Sequence, residues 1–211
     1  MSRSGGPSCG RAALRFCRTD ADARGYHLAY SRAISAIADH CKSDSVAENP
    51  GISVKLSALH PRYEVAQEAR VIEELVPRVR ALALLAKSAG MGFNIDAEEA
   101  DRLSLSLDVI SAVLAEPALA GWEGFGVVVQ AFGQRAPLVL DYLYDLATRL
   151  DRKIMVRLVK GAYWDAEIKR AQVEASQLRQ KQRHIGRGIR KGQVRQRSSS
   201  TQGRLLRTRK P

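Results

Sequence analysis

Apolar residues recur along this chain in two alternating rhythms. One is the three-to-four spacing of a helix face, the other the short β-branched run of a buried strand. Tyr26, Ala29, Ala33, Ile34 and Ile37 follow the helical spacing, and Thr19-Asp20 ahead of them predicts a cap for a helix over about 22–40. A polar stretch, Ser43 to Pro50, then reads as a loop. Gly51 to Leu59 (GISVKLSAL) predicts a strand. The next face is helical, with Val71, Ile72, Leu75, Val79, Leu82 and Leu85. Pro77 inside it predicts a kink or a second start, and Gly90 a stop. Gly92 to Asp96 predicts a second strand, followed by an Ala/Glu/Leu-rich helix to about Leu114. Phe125 to Ala131 predicts a third strand, and Pro137 stands near the start of a helix carrying Val139, Tyr142, Leu143, Leu146 and Leu150. Lys153 to Val159 predicts a fourth strand, and Trp164 to Ala175 a last helix with Ile168 and Ala171 inward.

Four βα units in succession imply α/β architecture, a parallel sheet with right-handed crossovers. Periodicity leaves two arrangements open, a doubly wound sheet and part of a (β/α)8 TIM-type barrel.

Strand alternation sharpens the picture. Lys55 shares a face with Ser53 and Ser57, Asp96 with Asn94, Gln130 with Val128, and Arg157 with Met155 and Val159. One polar residue near a strand's C-terminal end is unremarkable, and each alone is read most simply as structural; Lys55 and Asp96 could be a plain ion pair. Four in consecutive strands favour a site, because parallel α/β folds bind ligands at those ends. Lys160-Gly161-Ala162-Tyr163-Trp164 leaves the fourth strand for a helix. A glycine there allows close approach to a ligand, although an ordinary βα turn with aromatic packing reads the same way. Neither GxGxxG nor GxxxxGK[ST] occurs. Glu73-Glu74 and Glu98-Glu99 read as solvated helix faces. His27, His40, His60 and His184 are dispersed and suggest no metal site.

Composition changes less than the charge suggests. The 211 residues carry a formal net charge of +12. Nine Arg and three Lys, with no Asp or Glu, fall in Ser176 to Pro211. Without those 12, the 34 basic residues become 22, against 22 acidic ones, so the rest of the chain is formally neutral. The tail, 176–211, reads as disordered. Its charge could draw nucleic acid or anionic membrane, although it has no aromatic residue to stack on bases; nucleic-acid binding is not expected of the folded part. Residues 1–18 read as an ill-defined leader. Cys9, Cys17 and Cys41 form no CxxC pair, which fits a cytoplasmic setting.

The segments GISVKLSALHPRYE, NIDAEEADRL, GWEGFGVVVQAF and MVRLVKGAYWDAEIKRAQ resemble the proline dehydrogenase domain of the PutA family, in order, from about Thr19 to Val173. The resemblance implies a partial (β/α)8 barrel over 19–175 that binds FAD. It implies oxidation of L-proline to Δ1-pyrroline-5-carboxylate, on the way to glutamate, with electrons passing to a membrane quinone. That would place the protein in the cytoplasm, peripheral to the inner membrane. In bifunctional members a separate NAD-dependent aldehyde dehydrogenase domain oxidises the product; no such segment is recognisable here. By position, the resemblance makes Lys55 the lysine that helps hold the substrate carboxylate, Asp96 the aspartate beside it and Tyr163 a substrate-pocket tyrosine. Gln130 and Arg157 become flavin-ring contacts. Val159, Lys160, Gly161, Ala162 and Trp164 become the cofactor-binding turn. The chain departs from the family's QAYQKR at Gln130-Ala-Phe-Gly-Gln-Arg135, where Phe132 lacks a hydroxyl. The family's first strand, its later strands and the arginine pair that clamps the carboxylate are not recognisable. With the compositional jump, this suggests a fragment truncated at both ends, with an out-of-frame tail and little activity of its own. Two other readings stand beside it. One is a dead fragment whose basic tail binds nucleic acid or membrane, and the other a different (β/α)8 enzyme without flavin.

Overall fold

The computed structural model describes residues 17–161 and 163–173. The expected leader up to residue 16 and the expected disordered tail lie outside the described residues. These form two compact units, one ending at Tyr163 and one beginning at Trp164. The second consists, as far as described, of helix α6 (Trp164–Val173).

The first unit opens with α1 (Asp20–Ala38). Thr19 caps it as expected: Asp22 N–H donates to Thr19 Oγ1 (3.1 Å), and Thr19 N–H donates to the Asp22 carboxylate (2.9 Å). Four parallel strands follow, β1 (Gly51–Val54), β2 (Gly92–Ile95), β3 (Phe125–Gln130) and β4 (Met155–Val159). Between them run α2 (Leu56–Leu59), α3 (Glu68–Ser88), α4 (Leu103–Leu114) and α5 (Ala136–Leu150). The strand order is β1-β2-β3-β4. A doubly wound sheet reverses direction midway, so this sequential order selects the barrel alternative.

The two faces of the sheet differ in chemistry. Val54, Phe93, Ile95, Phe125, Val127 and Val129 turn toward the helices and join Leu75, Leu82, Val109, Val113 and Leu143 in one core. Each such side chain, removed from water, contributes about 1.5–3 kcal/mol. Phe93 and Phe125 stand in register, with ring centroids 6.0 Å apart. On β4, Val156 and Leu158 pair with Val127 and Val129 but are exposed. The other face carries Ser53, Asn94, Gly126, Gln130 and Arg157, and is the lumen side.

Three expectations need correction. The first strand ends at Val54, because Leu56 and Leu59 are both buried, and three residues apart they share a side only on a helical turn. Pro77 does not begin a second helix: α3 runs through it as one helix. The hydrogen bond that Pro77 cannot donate would have reached Glu73, on the exposed side where water can serve. Glu98 and Glu99 do not lie on a helix face. They sit in the loop after β2 and turn inward.

Candidate functional site

Lys55, Asp96 and Gln130 stand at the C-terminal ends of β1, β2 and β3, and Arg157 reaches toward them from the middle of β4. Lys55 immediately follows β1, and its N–H donates to the hydroxyl of Tyr30 on α1 (3.2 Å). Asp96 immediately follows β2, held by its N–H donating to Val54 O (2.9 Å). Its carboxylate lies 3.6 Å from Lys55 Nζ through Oδ2. Through Oδ1 it accepts from Arg157 Nη2 at 2.8 Å, and the same nitrogen donates to Ser53 Oγ at 3.1 Å. Arg157 thus reaches from β4 past β3 to both other strands.

Gly126 lies between Asn94 and Met155 in the register, and a Cβ there would overlap the Asn94 side chain. Without a side chain at 126, the Asn94 amide has room beside β3. Gln130 ends β3, and its Nε2 donates to Glu98 O at 2.7 Å. Its Oε1 is buried with no hydrogen-bond partner, a state that costs free energy unless something fills it.

An open pocket of about 380 Å³ adjoins this group, with Lys55, Tyr163, Tyr30, Glu98, Tyr63 and Arg102 in its wall. Gln130 and Arg157 do not line it; they face the lumen beside it. Burial pulls the Lys55 ammonium down, but Tyr163, Asp96 and Glu98 outweigh it, and the net direction is up. Burial pushes the Tyr163 phenol up, partly opposed by Lys55. Lys55 is therefore a firmly protonated amine beside a neutral phenol, an arrangement suited to a carboxylate ligand.

The turn after β4 is fastened to the β3 loop. Ala131 N–H donates to Val159 O (2.8 Å) and Phe132 N–H to Lys160 O (3.2 Å). Gly161 has φ +144°, and a Cβ there would run into the Phe132 ring. Lys160 is exposed. Ala162 lies outside the described residues, and Trp164 opens α6 in the other unit. Lys55, Asp96, Gln130, Arg157 and Tyr163 are thus brought together, and the turn residues Val159, Lys160 and Gly161 lie beside Phe132.

Sequence reasoning missed Glu98. Ser57 N–H donates to its Oε1 (3.0 Å), and it stands in the pocket wall. Its one legible signal was its place two residues past Asp96. Among the described residues, no group of three or more His, Cys, Asp or Glu could hold a metal ion. No described helix is long and apolar enough to cross a membrane.

Residues 13–180 match the family model described as proline dehydrogenase. The chain is 58% identical over 165 residues to the bifunctional protein PutA of Klebsiella aerogenes, covering 78% of this chain and 12% of that protein. It is 60% identical over 161 residues to PutA of Rhizobium meliloti, covering 76% and 13%. A crystal structure of Bradyrhizobium japonicum PutA, mutant D779Y, superposes with a TM-score of 0.73 at 57% identity over 75% of this chain and 16% of that one. The chain therefore spans about an eighth of the length of the curated relatives it matches.

Proposed function

This chain belongs to the proline dehydrogenase family, a family of oxidoreductases, and on that premise we propose that its site serves the FAD-dependent oxidation of L-proline to Δ1-pyrroline-5-carboxylate. The observation that carries the reading is the Lys55–Asp96–Arg157 group at the strand ends, with the buried Gln130 Oε1 beside it.

The residues fit a flavin. Gln130 Oε1 is a buried acceptor without a donor, which the N–H of a flavin ring would supply. Arg157 offers a lasting positive charge on the same side. FAD, when bound, supplies the hydride acceptor. Lys55 pairs its ammonium with the substrate carboxylate, and Asp96 holds Lys55 and Arg157 at a fixed separation. Tyr163 bounds the pocket and excludes water from one side. The Val159-Lys160-Gly161 turn, with Ala162 and Trp164 following, is the segment we assign to cofactor binding.

Electrons then pass to a membrane quinone, which puts the working site at the cytoplasmic surface of the inner membrane; the family resemblance supports this step. An aldehyde dehydrogenase domain would act on the product in bifunctional relatives. Val156 and Leu158 on β4 are exposed, so flavin is expected to be held weakly as long as that apolar edge stays uncovered.

The test is the visible absorption spectrum of the purified chain with FAD, before and after L-proline under anaerobic conditions. A bound-flavin band that bleaches with proline supports the reading. A band that proline leaves unchanged removes the substrate, and no band at all removes the cofactor for this chain.

A further inference from the structure

Glu98 joins the ends of three strands. The turn α2 follows β1, with Lys55 at its N-cap, and Lys55 makes no side-chain capping bond. The amides of that turn therefore need an acceptor from elsewhere. Glu98, from the loop after β2, provides it, with Oε1 accepting from Ser57 N–H at 3.0 Å. The backbone carbonyl of the same residue accepts from Gln130 Nε2 at 2.7 Å, at the end of β3. That bond occupies the amide's donor end and leaves Oε1 as the free acceptor. Side chain and backbone of one residue thus hold both the turn that follows Lys55 and the amide of Gln130.

We propose that Glu98 is a positioning residue for this site, its carboxylate fixing the turn that carries Lys55 and its carbonyl fixing the Gln130 amide. The inference rests on the proline and flavin reading for its meaning, but its geometry can be tested without either ligand. A carboxylate accepting one backbone N–H is a charge-assisted bond, stronger than a neutral one. The charge matters as well. Glu98 faces Lys55 together with Asp96 and Tyr163, and acts with them to keep the ammonium protonated. A mere loop staple would need the acceptor but not the charge.

Two variants of the full chain separate these roles. Glu98→Ala removes both acceptor and charge. Hydrogen exchange over residues 55–60, read by mass spectrometry without ligand, should then accelerate about tenfold or more. Glu98→Gln keeps an acceptor oxygen and loses the charge. Its exchange over 55–60 should match the parent, while the NMR titration of the Lys55 side chain moves to lower pH. Unchanged exchange in the alanine variant overturns the clamp. If that variant does not fold, the glutamine variant decides, and a Lys55 titration that stays in place reduces Glu98 to a staple and overturns the proposal. FAD uptake, followed by quenching of flavin fluorescence, is read separately. A clamp that passes these tests in a chain that takes up no FAD sinks the cofactor reading and leaves the assignment of Glu98 standing.

Discussion

Arg157 on β4 crosses β3 to donate to Asp96 at the end of β2, 2.8 Å away, while Lys55 approaches the same carboxylate at 3.6 Å from the end of β1. One anion therefore holds two cations that would otherwise repel. The arrangement is wet: the Arg157 side chain is 51% exposed and that of Asp96 23%. Ion pairs of this kind add about 0–1 kcal/mol to stability. The Asp96→Asn variant should accordingly melt close to the parent, yet lose at least about tenfold in proline-dependent bleaching of bound flavin, since a loosened pair of cations costs about 1.4 kcal/mol or more of ordering. Melting by circular dichroism, set beside anaerobic bleaching, checks both halves. A large drop in melting temperature would mean that Asp96 is structural first.

Gly126 gives the Asn94 side chain its place on the lumen side, so its substitution should act on stability and site together. A valine at 126 must displace the Asn94 side chain, which lies where the Cβ would go. Overpacking of this kind costs about 1–3 kcal/mol. Gly126→Val should lower the denaturation midpoint accordingly and weaken FAD uptake. Combining it with Asn94→Ala should recover part of the stability. No recovery would mean that the strain lies elsewhere.

Most of the fold and half of the site were legible in the sequence, for different reasons. The strands were legible because buried parallel strands are short apolar runs rich in β-branched residues, and Val127, Val128 and Val129 make β3 one. Lys55, Asp96, Gln130 and Arg157 stood out because alternation fixes the side from which a strand residue projects. Where the strand stops, that rule stops. Ser57 looked like the next lumen residue after Lys55, but the chain had already turned into α2 to bury Leu56 and Leu59 together. Glu98 looked like a helix-face carboxylate, since its partner, the amide of Ser57, lies 41 residues away and carries no side-chain signature. Loop paths depend on such backbone partners, which residue identity does not record.

Phe132 has a structural consequence at Gly161. The glycine is held at φ +144° with the phenyl ring where a side chain would begin. Gly161→Ala therefore meets both backbone strain, about 1–3 kcal/mol, and a steric clash. Phe132→Ala in the same chain should remove the clash and leave the strain. The double variant should be more stable than the sum of the single losses predicts, with the difference read from urea unfolding. Strict additivity would show that the ring moves aside freely.

His60 should shape the acid limit of the fold. It is buried, its Nδ1 accepts from Arg62 N–H (3.2 Å), and Nε2 lies 3.2 Å from Glu74 Oε2 without hydrogen-bond geometry. Burial pulls its pKa below the ordinary 6.5, and Arg78 adds to that; Glu74 opposes both without reversing them. The sign follows from the proton balance. The unfolded chain takes up a proton at the ordinary pKa, while the folded chain takes it up only at lower pH. Stability is therefore complete above the unfolded value, and falls as the pH drops through it toward the folded value. Between about pH 7 and pH 5 few carboxylates titrate, so the slope in that window belongs mainly to histidine. His60→Gln cannot take up the proton. It should be less stable at neutral pH by about 1–3 kcal/mol through its lost contacts, yet show a flatter dependence across the window. Parallel curves of unfolding free energy against pH for parent and variant would show that His60 contributes nothing to the acid limit.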